Sequence, residues 1–253
     1  MSPNTVAKLL EEAGRTCEAF HDKTVHNVRS KRVQCDEIWS FVHAKAKNVP
    51  SAKAAPEGAG DCWTWTALDA DSKLIISFDC GGRDASYAND FMQDVASRLA
   101  NRVQLTMDEH KAYLDAVEGA FGADVDYSML IKHYGEPVRA LGRYSPGGCT
   151  GIELRRVEGR PDEAHVSTSY VERANLTTRM GNRRFTRLTN AFSKKAENHA
   201  HSVAIHLMHY NFVRIHQTLR CSPAMAAGVT TTLWELADMV KVLEDWEALK
   251  SDS

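Results

Sequence analysis

From Val33 to Val42 apolar and polar positions roughly alternate among β-favouring residues, a pattern that predicts a strand. A second strand fits Cys62 to Leu68 and a third fits Lys73 to Phe78, with a turn at Asp69-Ala70-Asp71-Ser72 between them. The spacing makes these three an antiparallel meander, and Gly81-Gly82 breaks the pattern. The period then lengthens: Tyr87, Phe91, Val95 and Leu99 mark an amphipathic helix. Arg102 to Met107 reads as a fourth strand. Tyr113, Val117 and Phe121 mark a second helix stopped by Gly122, and Val125 to Tyr134 supplies a fifth strand. Residues 135–165 are rich in Gly, Pro and charge and read as a long loop or insertion. Helical patterning resumes near Ser167 and runs, with breaks, to Arg220; a last helix spans Leu233 to Leu249, with Leu236, Val240 and Leu243 on one face. Ahead of the first strand, Ser2-Pro3-Asn4-Thr5 can cap a helix running through Val6, Leu9 and Leu10 to a stop near Gly14.

Three meander strands, with two more reached through helices, make an α/β chain with a mixed five-stranded sheet flanked by helices. The ribonuclease H-like fold is built this way. Three segments follow: 1–30, a body over 31–228 with an insertion at 135–166, and a C-terminal helix in 229–253.

Composition narrows the function. At 253 residues the chain buries a sizeable core without staples. No apolar run approaches the roughly 18 residues of a membrane span, and Met1 to Arg15 has no signal segment. The six cysteines are scattered without a CxxC pair, which argues against a zinc ribbon and for reduced thiols in a cytoplasmic protein. His199-x-His201 and His206-x-x-His209 lack the HExxH arrangement and read as surface or core histidines. Trp39, Trp63 and Trp65 read as core aromatics. Taken at face value, the net charge of −2 argues against a polyanion partner, but it is an average. Between Ser167 and Arg220, nine cations face two acids, a net +7, and the remainder carries −9.

Three carboxylates stand at informative places. Asp36 lies inside the first strand, Asp108 ends the fourth, and Glu172 begins the first late helix. Strands one and four are expected neighbours, so Asp36 and Asp108 meet at one edge, where a helix packed across it adds Glu172. Each acid alone reads as a solvated turn or cap residue, although an Asp inside an apolar strand is costly to bury unpaired. Three convergent carboxylates suit hard divalent cations such as Mg²⁺ or Mn²⁺.

The local sequences are more specific. Asp36-Glu37-Ile38-Trp39-Ser40-Phe41-Val42 resembles the first catalytic strand of DDE-type transposases of the insertion-sequence-one family. Leu105-Thr106-Met107-Asp108, followed by His110-Lys111-Ala112-Tyr113, resembles the second. Tyr170-Val171-Glu172-Arg173 with Asn175-Leu176-Thr177, then residues 183–195, resembles the helix carrying the third acid. Tyr210-Asn211-Phe212-x-Arg214-x-His216 with Ser222-Pro223-Ala224-Met225 is similar to the closing segment, so the resemblance runs from about Lys31 to Gly228. It implies a ribonuclease H-like DDE catalytic domain in which Asp36, Asp108 and Glu172 are the catalytic, metal-binding triad. The implied cofactor is a pair of Mg²⁺ ions, with Mn²⁺ able to substitute. The implied reaction is cleavage at transposon ends, then attack of the freed 3′-hydroxyl on target DNA. Double-stranded DNA is then the partner, two or more protomers act on paired ends, and the setting is a bacterial, nucleoid-associated cytoplasm.

Two departures bear on activity. Glu109 follows the second Asp where the family commonly has Gly; it either points away from the site or competes for metal. Ser2 to Gly14 resembles the recognition helix of a helix-turn-helix, so 1–30 reads as a partial DNA-binding remnant. Two alternatives stay open on these grounds: a catalytically inactive DNA-binding relic, and a nuclease of this fold that cleaves without joining. The basic stretch supplies the DNA-binding candidates Arg173, Arg179, Arg183, Arg184, Arg187, Lys194, Lys195, Arg214 and His216. Arg179, Arg183, Arg184 and Arg187 recur at three-to-four spacing, which predicts several on one helical face.

Overall fold

The computed structural model describes residues 2–135, 148–186 and 189–251. The five expected strands form as β1 (Arg32–Val42), β2 (Gly60–Asp69), β3 (Ile75–Gly81), β4 (Val103–Asp108) and β5 (Val125–Tyr134). A sixth, β6 (Cys149–Glu158), extends the sheet to the order β3-β2-β1-β4-β5-β6. β1 pairs antiparallel with β2 and parallel with β4, β4 parallel with β5, and β5 antiparallel with β6. This corrects the loop expected over 135–165. β6 is held by backbone pairing to β5 while its side chains stay largely exposed, Ile152 and Leu154 included. A strand that buries so little has no core face to impose an alternating sequence. Residues 136–147 of that insertion lie outside the described residues.

Helices cover both faces. α2 (Ala85–Arg98) and α3 (Ala112–Phe121) place Phe91, Met92, Val95, Tyr113 and Val117 against Val33, Cys35, Leu105 and Met107. On the other face α4 (Ser169–Gly181) and α5 (Ala196–Met208) bring Val171, Ala174, Val203 and Leu207 to Ile38, Leu68 and Ile75. Asp84 caps α2, its carboxylate accepting from Ser86 N and Tyr87 N. Alternation along β1 and β4 therefore sorts their side chains: Gln34, Asp36, Thr106 and Asp108 belong to the α4 face.

The N-terminal helix α1 (Pro3–Thr24) runs well past the stop expected at Gly14. Gly14 lets α1 approach α5: a Cβ there would lie 2.2 Å from His201 Cβ. The buried face of α1, with Cys17 and His21, sits on the body, and His21 Nε2 lies 3.1 Å from the Ile75 carbonyl. The basic stretch is likewise broken differently than expected. α4 ends at Gly181, and Arg183–Phe185 is a separate 3₁₀ turn, so Arg179, Arg183 and Arg184 do not share one helical face. After α5 come a π-turn (His209–Val213), the short α6 (Pro223–Ala226) and α7 (Leu236–Ser251). Trp234, Met239 and Val242 dock this last segment, with the Trp234 ring 4.9 Å from Phe212 and 5.2 Å from Phe20. Leu236 and Val240, expected on its apolar face, are exposed. Among the described residues no helix is long and apolar enough to cross a membrane.

Candidate active site

The parallel β1–β4 register pairs Cys35 with Met107, so Asp36 and Asp108 follow side by side on adjacent strands and the same face. α4 lies across this edge because Gln34, buried on β1, accepts from the N–H groups of Tyr170 and Val171 at 2.9 and 3.1 Å. That side chain caps two otherwise unpaired donors of the first turn, whose own N-cap residue Thr168 makes no such bond. Glu172 is thereby fixed one turn into α4.

Asp36 is held from two elements. Asn175 Nδ2 donates to Asp36 Oδ2 at 2.7 Å. Asn175 Oδ1 accepts from Thr66 Oγ1 at 3.0 Å, and that hydroxyl also lies 3.1 Å from the Asp36 carbonyl. Burial, then the charges of Glu37 and Asp108, push the Asp36 carboxyl from 3.8 up to about 7, against the pull of Asn175. Partial burial also raises Asp108; the Lys132 ammonium pulls it back and Glu172 pushes it up.

Lys132, two residues beyond the Leu130 that pairs with Asp108, is the cation of this edge. Its Nζ donates to Asp108 Oδ1 at 3.5 Å, to Thr168 Oγ1 at 3.2 Å and to Glu172 Oε1. Thr168 also donates to Glu172 Oε1. Burial disfavours the ammonium, but Glu172 and Asp108 outweigh it and hold the Lys132 pKa above its ordinary value. Lys132 is 19% exposed, whereas Asp108 and Glu172 are 42% and 43% exposed and open to an incoming substrate.

The three sequence-chosen acids thus share one edge, but they are not drawn into one cluster. Among the described residues no group of three or more His, Cys, Asp or Glu side chains is close enough to hold a metal ion. The donor set nevertheless fits a hard divalent cation. It is all oxygen, and when ionised its three carboxylates exceed the single ammonium by two charges. Glu109 is exposed and forms no ion pair among the described residues. On the opposite face of β1, Glu37 pairs with Arg83 at 3.1 Å.

The basic candidates differ in exposure. Arg173, Arg179, Arg183, Lys194, Lys195 and Arg214 are exposed. Arg184 is half-buried and donates to Ser193 Oγ at 2.9 Å, a bracing role for at least part of its guanidinium. Arg187 lies outside the described residues. His216 is half-buried, with Nδ1 buried and unpartnered. The histidines of α5 include a core one: His199 is fully buried between Ser40 and Ser193 hydroxyls at 3.1 and 3.2 Å.

Sequence reasoning missed Gln34, Lys132 and Thr168, and it quoted Asn175 only as part of the third motif, with no role. Asn175 had a signal, since it sits three residues after Glu172 on the same side of the helix. Lys132 had a weaker one, a cation two residues after Leu130 in a strand that is otherwise apolar on that stretch.

No family model matches the chain, and no curated protein does. Among solved structures it is similar to a simian T-cell lymphotropic virus intasome in complex with PP2A regulatory subunit B56 gamma. The identity is 12% and the TM-score 0.43, over 79% of this chain and 55% of that one. It is also similar to the Mos1 strand transfer complex, at 14% identity and a TM-score of 0.28, over 81% and 60%. A Mos1 transposase paired-end complex with left transposon end aligns at 16% identity and a TM-score of 0.24, over 47% and 40%. The chain therefore spans about half the length of the structures it matches.

Proposed function

We propose that the chain is a DDE-type DNA transposase that cleaves at transposon ends and joins the freed 3′-hydroxyl to target DNA. The observation that carries this reading is the placement of Asp36 and Asp108 on one face of adjacent parallel strands, with Glu172 tied to Asp108 through Lys132. The sequence resemblance names the same three acids in the same order. Asp36, Asp108 and Glu172 would hold Mg²⁺ or Mn²⁺, which when bound supplies a Lewis acid for in-line phosphoryl transfer. The chain's own residues do the positioning. Asn175 orients Asp36, Gln34 anchors the helix that presents Glu172, and Lys132 keeps the Asp108 and Glu172 carboxylates together. Exposed cations on and after α4 hold the phosphates of double-stranded DNA. Paired ends would call for two protomers.

The test is strand transfer of a pre-cleaved, labelled end by purified protein with Mg²⁺. Asp36→Ala, Asp108→Ala and Glu172→Ala are each expected to abolish joining while circular dichroism stays native. Full activity in any one of them sinks the assignment. A second reading, a DNA-binding relic, is favoured by the Lys132 ammonium lying between two of the acids. DNA binding by the unmodified chain without joining, in Mg²⁺ and in Mn²⁺, decides for the relic. Cleavage without joining decides for a nuclease.

A further inference from the structure

α4 has a second working flank. Tyr170, Arg173, Ala174 and Thr177 recur at helical spacing on a face roughly half a turn away from Glu172. This face lines a cavity of about 280 Å³, closed by Lys73 from the β2–β3 turn and by Arg214 and His216 from the segment after the π-turn. The cavity is cationic, and no carboxylate lines it. Lys73 Nζ sits 3.2 Å above the Tyr170 ring and donates to the Ala70 carbonyl, so its charge is held in place. Among the described residues neither Arg173 nor Arg214 forms an ion pair. His216 Nδ1 is buried without a hydrogen-bond partner. Burial and the charges of Lys73 and Arg214 hold the His216 pKa below its ordinary value, which places both cations near the ring.

Lys73 also feels the nearby Asp71 and Asp69 carboxylates, but the Arg173 and Arg214 guanidinium groups beside the unsatisfied His216 nitrogen have no anionic partner among the described residues, and an incoming anion would supply one. Arg guanidinium, ammonium and imidazole together match phosphate oxygens. The volume, about nine waters at ~30 Å³ each, admits a phosphodiester and part of its hydration. We propose that this cavity is a phosphate subsite for the DNA strand that crosses α4 from the carboxylate edge. A helix with its side chains is about 10–12 Å across, and successive phosphates of one strand, which rise about 3.4 Å along the duplex axis while winding round it, stand about 7 Å apart through space. The bound phosphate is therefore about two nucleotides from the one at Glu172. The inference rests on the reading of the chain as a DNA-processing enzyme, and it adds Lys73, Tyr170 and a defined spacing to it.

The test uses the full chain in EDTA, with binding to a short duplex carrying a pre-cleaved end followed by fluorescence anisotropy between about 50 and 200 mM salt. Arg214→Gln is expected to weaken binding about tenfold and to reduce the log–log salt slope by about one. Arg173→Gln is expected to do the same. A neutral methylphosphonate walked along the strand reproduces the loss about two positions from the cleaved end, and this added loss vanishes in Arg214→Gln. An unchanged salt slope in both variants, or a methylphosphonate effect equal in both proteins, overturns the subsite. Thermal stabilisation by inorganic phosphate in the unmodified chain but not in Arg214→Gln, with the DNA slope unchanged, makes this a free-anion site and also overturns it. Failure of the unmodified chain to bind DNA at all is a different result, and brings down the transposase reading first.

Discussion

Truncating Asn175 to Ala removes two hydrogen bonds across the seam between α4 and the sheet: one to Asp36 at 2.7 Å and one from Thr66 at 3.0 Å. Thr66 keeps the Asp36 carbonyl as an acceptor, so the lost neutral bond sits at the low end, about 0.5 kcal/mol. The bond to Asp36 is worth about 1.5–3 kcal/mol when the carboxylate is charged. With the Asp36 carboxyl at about 7, the folded chain holds, between 3.8 and 7, a proton that the unfolded chain releases. The contribution of Asp36 to stability therefore falls as pH rises through that window. Loss of Asn175 extends the window upward, because a charge-stabilising donor has gone. Asn175→Ala is thus expected to lose about 3 kcal/mol at pH 8, or roughly 6–12 °C in Tm for a chain of this size, and only about 1 kcal/mol at pH 5. Urea denaturation in EDTA at both pH values measures this. Asp36→Asn closes the double-mutant cycle, and the pH-dependent part should vanish in its background. Equal losses at the two pH values would refute the coupling of Asn175 to the carboxylate; no loss at pH 8 would refute the energetic role of the seam.

Other outcomes follow from the same geometry. Gly14→Ala should cost about 1–3 kcal/mol in urea denaturation, because the new methyl must push α1 off His201; an unchanged midpoint would mean that α1 is not packed this closely. Lys132→Met should tighten Mg²⁺ binding about tenfold by calorimetry, since the competition of its ammonium with the cation outweighs its hold on Asp108 and Glu172; weaker binding would mean that the hold is the larger effect. Burial lowers the pKa of His21, His199 and His206 to about 4, so each adds stability above 6.5 that is lost as pH falls towards 4. His199→Gln should blunt the acid transition in that range, followed by tryptophan fluorescence.

The sequence by itself determined the elements whose periodicity is enforced by burial. β1 to β5 bury at least one face, and a one-residue slip would turn their apolar set outward, so their alternation is legible. It also singled out Asp36 and Asp108 as candidates, because a carboxylate in or at the end of an apolar strand stands out against its neighbours, while Glu172, on a helix, was singled out by the family resemblance. What periodicity cannot show is anything held by backbone pairing or by contacts between distant segments. β6 forms on the β5 edge with exposed side chains, so its sequence reads as loop. α1 passes through Gly14 because that glycine meets His201, which is 187 residues away in the chain, and locally a glycine reads as a stop. The cationic face expected over Arg179 to Arg187 gives way at Gly181, where Asn182 turns the chain and its carboxamide oxygen accepts from Arg184 N. The setting of the three acids is tertiary too. Only the folded sheet brings Lys132 between Asp108 and Glu172, and only α4 docked by Gln34 sets Asn175 on Asp36. Local pattern records which side chains must avoid water; it does not record which distant partner compensates a buried charge, and here those partners decide the electrostatics of the site.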